Sequence, residues 1–189
     1  MNTSIYGGKR LFDLENLEDK ISEIYNIHYL DVYRFLICFS GNQDEAEDMT
    51  QEVFIRVLKN LSNFNGHSTI KTWIFSIAKH VAIDHYRKKR FSSIFKEGYF
   101  KNMVSKEKGP TELVELSEMQ KSVHEGISKL KPNYRAVVLL RGINEFSIKE
   151  TAEILNCSES KVKVDYHRAL IDLKRKLHID VKEAIGNAN

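Results

Sequence analysis

Apolar residues recur every three or four positions in block after block of this chain, and no stretch alternates strictly enough to read as a strand. From Lys20 to Phe39 the spacing is helical, and Ser40-Gly41-Asn42 stops it. Asn42 with Glu45 three residues on predicts a second helix, its first N–H groups capped by the Asn side chain, running to about Leu61. The polar, Gly-containing stretch from Ser62 to Ser68 reads as a loop, and a further helix follows from about Ile70 to Arg90. Periodicity then lapses over residues 92–112, which hold Gly98, Gly109 and Pro110. From Glu112 to His178 the pattern predicts four more helices, broken at Lys131-Pro132, from Gly142 to Phe146, and at Asn156-Cys157-Ser158. Gly7-Gly8-Lys9 lacks the spacing of a phosphate-cradling loop and reads as a frayed terminus. The expected architecture is all-α: an extension (1–19), a helical domain (20–91), a flexible linker (92–112) and a second helical domain (113–189) containing a helix-turn-helix.

Composition narrows the function classes. With 189 residues, 42% hydrophobic and 29% charged, the chain reads as a soluble globular protein. No apolar run approaches the roughly 18 residues of a membrane span, and no signal peptide is evident. Cys38 and Cys157 are too few for a disulfide framework and suggest a reducing cytosol. The seven histidines form no ligand cluster, so no metal or other cofactor is expected, and no catalytic constellation marks an enzyme. The net charge of +3 hides local asymmetry. Residues 44–52 carry five acids and no base, residues 79–96 six bases and one acid, and residues 161–176 six bases and two acids. Two separated basic segments suit two contacts with a polyanion, and the acidic one suits a different partner.

Helical projection sorts these charges onto faces. In the acidic helix Ala46, Met49, Val53 and Val57 form the inward stripe, while Asp48, Gln51, Glu52 and Ile55 share the opposite sector. An aliphatic residue among acids and an amide fits protein docking, and it also fits an ordinary polar face. In the next helix Ile70, Ile74, Ile77, Ala78 and Val81 line the core side. Thr72, Phe75, Ser76, Lys79, Ile83, Tyr86, Arg87 and Arg90 lie on the other side, and Trp73, His80 and Asp84 share a flank. Aromatics interleaved with Lys and Arg suit single-stranded nucleic acid, whose bases stack while cations follow phosphates. Asp84 is expected to pair with Arg87 or Lys88 one turn on.

The strongest local signal lies near the C-terminus. Ser147 and Glu150 form a capping box before a short helix, Ile148 to Leu155, and a three-residue break leads into a longer helix capped by Ser158. This is the helix-turn-helix pattern, whose second helix enters the major groove by its N-terminal end. Val162, Tyr166, Ala169, Leu170, Leu173 and Leu177 face inward, which leaves Ser160, Lys161, Val164, His167 and Arg168 outward with Lys163 at the edge. Lys or Arg reads guanine, Val touches a thymine methyl, and the remaining positions hold phosphates.

These segments together resemble the extracytoplasmic-function (ECF) class of RNA polymerase sigma factors. The resemblance runs through Asp44 to Arg56, Phe64, Thr72-Trp73-Ile74, Ile77-Ala78, Asp84 and Arg87-Lys88, then Tyr134-Arg135, Phe146 to Glu150, Ala152 to Leu155, Val162-Lys163 and His167-Arg168-Ala169. It implies a non-enzymatic cytoplasmic initiation factor, often active in stress, that brings core polymerase to promoter DNA. By that resemblance Asp48, Gln51, Glu52 and Ile55 meet the clamp helices of the largest subunit, and the second domain meets the flap of the second-largest subunit. Asn63, Asn65, His67, Lys71, Trp73, His80 and Arg87 act at the −10 element. Ser160, Lys161, Lys163, Val164, His167 and Arg168 act at the −35 element. An anti-sigma protein, often membrane-bound, is the implied regulator. The linker residues 92–112 would stretch to roughly 70 Å, which reaches both elements. His80 stands where many relatives have Asn, Ser160-Lys161 replaces Gly-Thr, and Asp165 takes a place often basic, so promoter preference does not transfer from relatives. A free-standing helix-turn-helix regulator, or a helical enzyme or adaptor with incidental basic faces, are the competing readings.

Overall fold

Helix α1 (Gly8–Ser40) ends where Gly41 turns left-handed at φ +71°, with its N–H bonded to the Ile37 carbonyl and Ser40 Oγ bonded to the Leu36 carbonyl. Helix α2 (Gln43–Asn60) starts two residues later. Asn42 Oδ1 accepts from the Glu45 N–H at 2.9 Å, and Asp44 and Glu45 in the first turn complement the helix dipole. The computed structural model describes residues 8–99 and 118–177, with side chains over 19–92 and 121–177. A 3-10 turn (Leu61–Asn63) and an irregular loop lead to α3 (Ile70–Tyr99), where Thr69 Oγ1 accepts from the Thr72 N–H. The second half comprises α4 (Glu118–Ser128), α5 (Pro132–Val138) with a π-helical turn (Leu139–Ile143), α6 (Ile148–Leu155) and α7 (Glu159–Lys176). Among the described residues every element is helical.

Two ends fall elsewhere than periodicity puts them. Helix α1 begins at Gly8, inside the expected extension, and α3 continues to Tyr99, past Arg90 and into the expected linker. Neither segment contains a proline to stop it. The remainder of the expected linker (100–112), the first residues of the expected second domain (113–117), residues 1–7 and everything after Leu177 lie outside the described residues.

The first domain buries Val32, Phe35, Leu36 and Phe39 of α1 against Ala46, Met49, Val53 and Val57 of α2 and Ile74, Ala78 and Val81 of α3. Ion pairs tie the helices at their edges: Lys71 to Asp31 at 2.9 Å, and Lys89 to Glu45 at 2.9 Å. The second domain closes over Leu139, Leu140, Ile154, Val162 and Ala169, and α4 and α5 both pack on α7. Both α6 and α7 are capped as expected. Ser147 Oγ accepts from the Glu150 N–H while the Glu150 carboxylate accepts from the Ser147 N–H, and Ser158 Oγ accepts from the Lys161 N–H.

The two domains share one continuous core. Thr72, Phe75 and Lys79, placed by projection on the outward side of α3, are 2, 0 and 7% exposed. Helix α6 packs on α3, and the Phe146 ring stands edge-on to Phe75 with centroids 4.7 Å apart. A single-helix projection can show one buried stripe against its own bundle; it carries no information about a second partner arriving from elsewhere in the chain.

The capping box yields a stability test. Hydrogen bonds from the Ser147 side chain and backbone hold the Glu150 carboxyl below its ordinary range. A depressed carboxyl stabilises the fold at neutral pH, and that contribution is lost as pH falls through the carboxylate range. Ser147→Ala is expected to cost about 1 kcal/mol in urea unfolding at neutral pH and Ser147→Gly only a few tenths. Equal losses would show that the hydroxyl does not cap.

Candidate nucleic-acid interface

The turn between α6 and α7 is set by Asn156, which takes the left-handed region at φ 52°, ψ 56°, a conformation Asn tolerates better than most side chains. Its N–H bonds to the Glu153 carbonyl, and the Cys157 N–H bonds to Ala152. Helix α7 therefore leaves the turn with its first residues facing solvent. Val162, Ala169 and Leu173 are buried, whereas Ser160, Lys161, Lys163, Val164, His167 and Arg168 are all exposed, so the whole candidate −35 set lies on one surface. Lys161 Nζ sits 2.6 Å from Asp165 Oδ2, and that hydrogen bond raises the Lys161 pKa above its ordinary value. Asp165, only 15% exposed, is thus already engaged with Lys161.

The first-domain set divides. Asn63, Trp73 and His80 line one cavity of about 320 Å³, together with Arg56, Asn60 and Ile77. Trp73 is half-buried, its ring 5.3 Å from Phe64 at 45°, and one side faces this cavity. His80 is held from both sides. Nδ1 donates to the Ser76 carbonyl at 2.7 Å, which leaves Nε2 to accept from Lys79 Nζ at 3.2 Å. Burial lowers the Lys79 pKa. Asn65 and His67 stay exposed in the loop, where Asn65 Oδ1 accepts from the His67 N–H.

Lys71 and Arg87 do not join that cavity. Lys71 is paired with Asp31 and lies 5.5 Å from the Phe146 ring centroid, at the junction of the domains. Arg87 lines a separate cleft of about 710 Å³ whose other wall carries Lys161 and Arg168. Its guanidinium sits 4.0 Å from Asp84, the expected one-turn pair. Sequence projection overlooked Arg56 and Asn60 as cavity residues. Their signal was present: Arg56 and Asn60 at the end of α2 and Asn63 in the 3-10 turn that follows are spaced at intervals of four and three.

The acidic face of α2 forms a third surface. Asp48, Gln51 and Glu52 are exposed, and Ile55 is 50% exposed with Leu58 at 45% one turn on. Glu52 pairs with Arg56 at 2.5 Å, so this acidic face and the cavity adjoin along one helix. Beside them runs an apolar groove lined by Ile21, Ile24, Tyr25, Phe54 and Leu58. Among the described residues no cluster of His, Cys, Asp and Glu could hold a metal ion, and no helix is long and apolar enough to cross a membrane.

Comparison with known proteins places these surfaces in a family. Residues 24–92 match Sigma-70 region 2 and residues 120–173 match Sigma-70, region 4. The ECF RNA polymerase sigma factor SigX of Bacillus subtilis is 35% identical over 167 residues, covering 86% of each chain. SigW of the same organism is 32% identical over 168 residues, covering 85% of this chain and 90% of its own. Among solved structures, the fold resembles the sigma factor RpoE in complex with the anti-sigma factor NepR from Bartonella quintana, with TM-score 0.69 and 23% identity over 85% of this chain and 98% of that one. It also resembles CnrH in complex with the cytosolic domain of CnrY, with TM-score 0.64 and 20% identity over 86% and 90%. Both Sigma-70 regions in order, along most of the length of these relatives, show that the chain belongs to the extracytoplasmic-function class of RNA polymerase sigma factors.

Proposed function

We propose that this sigma factor, which binds core polymerase and directs promoter-specific initiation, divides the work among the three surfaces just described. The exposed end of α7 reads the −35 element, the cavity beside Trp73 takes a −10 base, and the acidic face of α2 docks on the clamp helices of the largest polymerase subunit. Residues 20–91 serve as the −10 and docking domain and residues 113–189 as the −35 domain, which also meets the polymerase flap. The observation that carries the reading is the exposed set at the head of α7, presented by a left-handed turn and a Ser cap within the region-4 match. The chain acts without catalysis of its own and in the cytoplasm. Its similarity to RpoE and CnrH, each solved with a partner, supports control by an anti-sigma protein.

Each surface has a chemical rationale. Lys161 and Arg168 donate to guanine edges or phosphates, and Val164 offers an apolar contact for a thymine methyl. At the −10 element an unstacked base must recover a few kcal/mol, and Trp73 supplies a ring to stack on. Asn60 and Asn63 present amides, and Arg56 a fork of donors, to its edges. His80 Nε2 is engaged by Lys79, so the pair presents an ammonium next to an imidazole where many relatives have Asn.

Run-off transcription with purified core polymerase on genomic fragments tests the whole. Start sites that depend on the added chain are expected, and their absence would remove the sigma assignment of these surfaces. On a promoter so obtained, Lys161→Ala should change preference at one or two upstream base pairs by about 1–3 kcal/mol. A uniform loss across sequences would make Lys161 a phosphate contact. Asn60→Ala and His80→Asn should shift preference at one −10 position and leave upstream preference alone. Gln51→Ala combined with Ile55→Arg should weaken core binding at least tenfold in a pull-down titration with the melting temperature unchanged; retained affinity would move the docking face elsewhere.

A further inference from the structure

We infer that Asp165 is a positioning residue for −35 recognition: by holding the Lys161 ammonium, it turns a cation that would follow any phosphate into a donor aimed at one base edge. This rests on the assignment of α7 to the −35 element made above. Lys161 Nζ lies 2.6 Å from Asp165 Oδ2, the distance of a strong charge-assisted bond. The Asp165 side chain is 15% exposed and that of Lys161 58%, so the ammonium and not the carboxylate is the group a DNA groove can reach. Residue type alone would let an acid at this position accept from a cytosine amino group; its low exposure and its bond to Lys161 argue against that direct role.

Helix stability does not account for the pair. An i,i+4 pair supports a helix best with the acid N-terminal to the base, and here the order is reversed. Lys161 also stands in the first turn of α7, three residues after the Ser158 cap, where the helix dipole disfavours a cation. Further along the same helix Asp172 and Lys176 have the favourable order, yet they stand 3.8 Å apart. The closer contact is thus the one that helix energetics favours less. Local rules broken in this way are expected at functional positions.

The pair changes what Lys161 offers to DNA. Cα–Cβ bonds tilt toward the helix N-terminus, so an unpaired Lys at this position sweeps freely past the end of α7. Asp165 draws the ammonium back toward the turn that carries Val164 and Arg168 on the same exposed surface. An ammonium has three N–H donors; one is spent on Asp165, and two remain for acceptors such as guanine O6 and N7. The net charge of the pair is zero, so it releases few counterions and adds little to sequence-independent binding. Leaving Asp165 for a phosphate strands a carboxylate beside the polyanion, a penalty that falls on wrong sites and not on the right one.

The test is a fluorescence anisotropy titration of the full chain with core polymerase on the promoter recovered by run-off transcription. Templates changed at each upstream base pair are titrated beside it, over a range of potassium chloride concentrations. Asp165→Asn is expected to bind every template about threefold more tightly and to steepen the slope of log affinity against log salt by about 0.9, one added phosphate contact. It should also lose about threefold or more of its discrimination at the base pair that Lys161 reads. Asp165→Glu, which keeps the pair, should retain both the discrimination and the shallower slope. In a Lys161→Ala background, Asp165→Asn should change no base preference, because Asp165 acts through Lys161. An unchanged profile and slope, or a uniform loss that tracks a lower melting temperature, would overturn the positioning role. A preference that Asp165→Asn loses and Lys161→Ala keeps would make Asp165 a direct reader and overturn it as well. A wild type with no upstream preference removes the −35 assignment of α7 and the positioning role together. Upstream preference that survives intact in Lys161→Ala keeps the assignment and removes only the role of the pair.

Discussion

Helix α3 buries side chains on two sides of its axis, and the rest of the molecule is arranged around that demand. One side, with Ile74, Ala78 and Val81, completes the bundle with α1 and α2. The other, with Thr72, Phe75 and Lys79, is covered by the second domain. Phe75 touches both: its ring stands 5.6 Å from Phe35 of α1 and 4.7 Å from Phe146. Edge-to-face pairs of this kind contribute about 0.5–1.5 kcal/mol beyond the area they bury. That is large against the net stability of a domain, which is only about 5–15 kcal/mol. The same helix carries Trp73 and His80 on its remaining flank, so packing of the domains and the wall of the Trp73 cavity depend on one rigid rod.

Burial and function meet most directly at the cations. Lys79 and Arg135 are desolvated without carboxylate partners, and burial lowers the pKa of each. Natural cores seldom accept this unless hydrogen bonds satisfy the charge. Arg135 has three backbone carbonyls and two aromatic faces, and Lys79 has the His80 ring nitrogen. These partners are neutral dipoles, which stabilise a cation less than a carboxylate does.

Much of the fold was legible because its signals are local. The Asn42 cap, the Ser147–Glu150 box, the Ser158 cap and the break at Asn156 act within a few residues, and each stands where spacing and residue type predict. The exposed surface of α7 proposed for the −35 element follows from them, since once the start and buried stripe of α7 are known its exposed residues are determined. The first-domain surface was legible only in part. Asn63, Trp73 and His80 converge, but Arg56 and Asn60 come from a different helix, and which helices share a cavity is a matter of tertiary packing. Lys71 was drawn away by Asp31, a partner forty residues upstream that helical projection cannot see. The buried side of α3 eluded the sequence for the same reason: Thr, Lys and a lone Phe read as surface until a second domain covers them.

The arrangement of α2 shows why separate surfaces can work as one device. Its 18 residues carry the acidic face proposed for docking near the middle and Arg56 and Asn60 of the Trp73 cavity at the end, with Glu52 and Arg56 paired between them. A helix of that length rises about 27 Å and transmits position with little bending. A partner that fixes Gln51 and Ile55 therefore also fixes where Asn60 and Arg56 stand relative to it. Distance from the acidic face to the Trp73 cavity is set by backbone geometry rather than by loop conformation, which is what the proposed registration of a melted base against the polymerase would require. The adjoining loop, with Gly66 at φ 73° and the Asn65–His67 turn, is then left to vary in sequence without moving the frame that presents it.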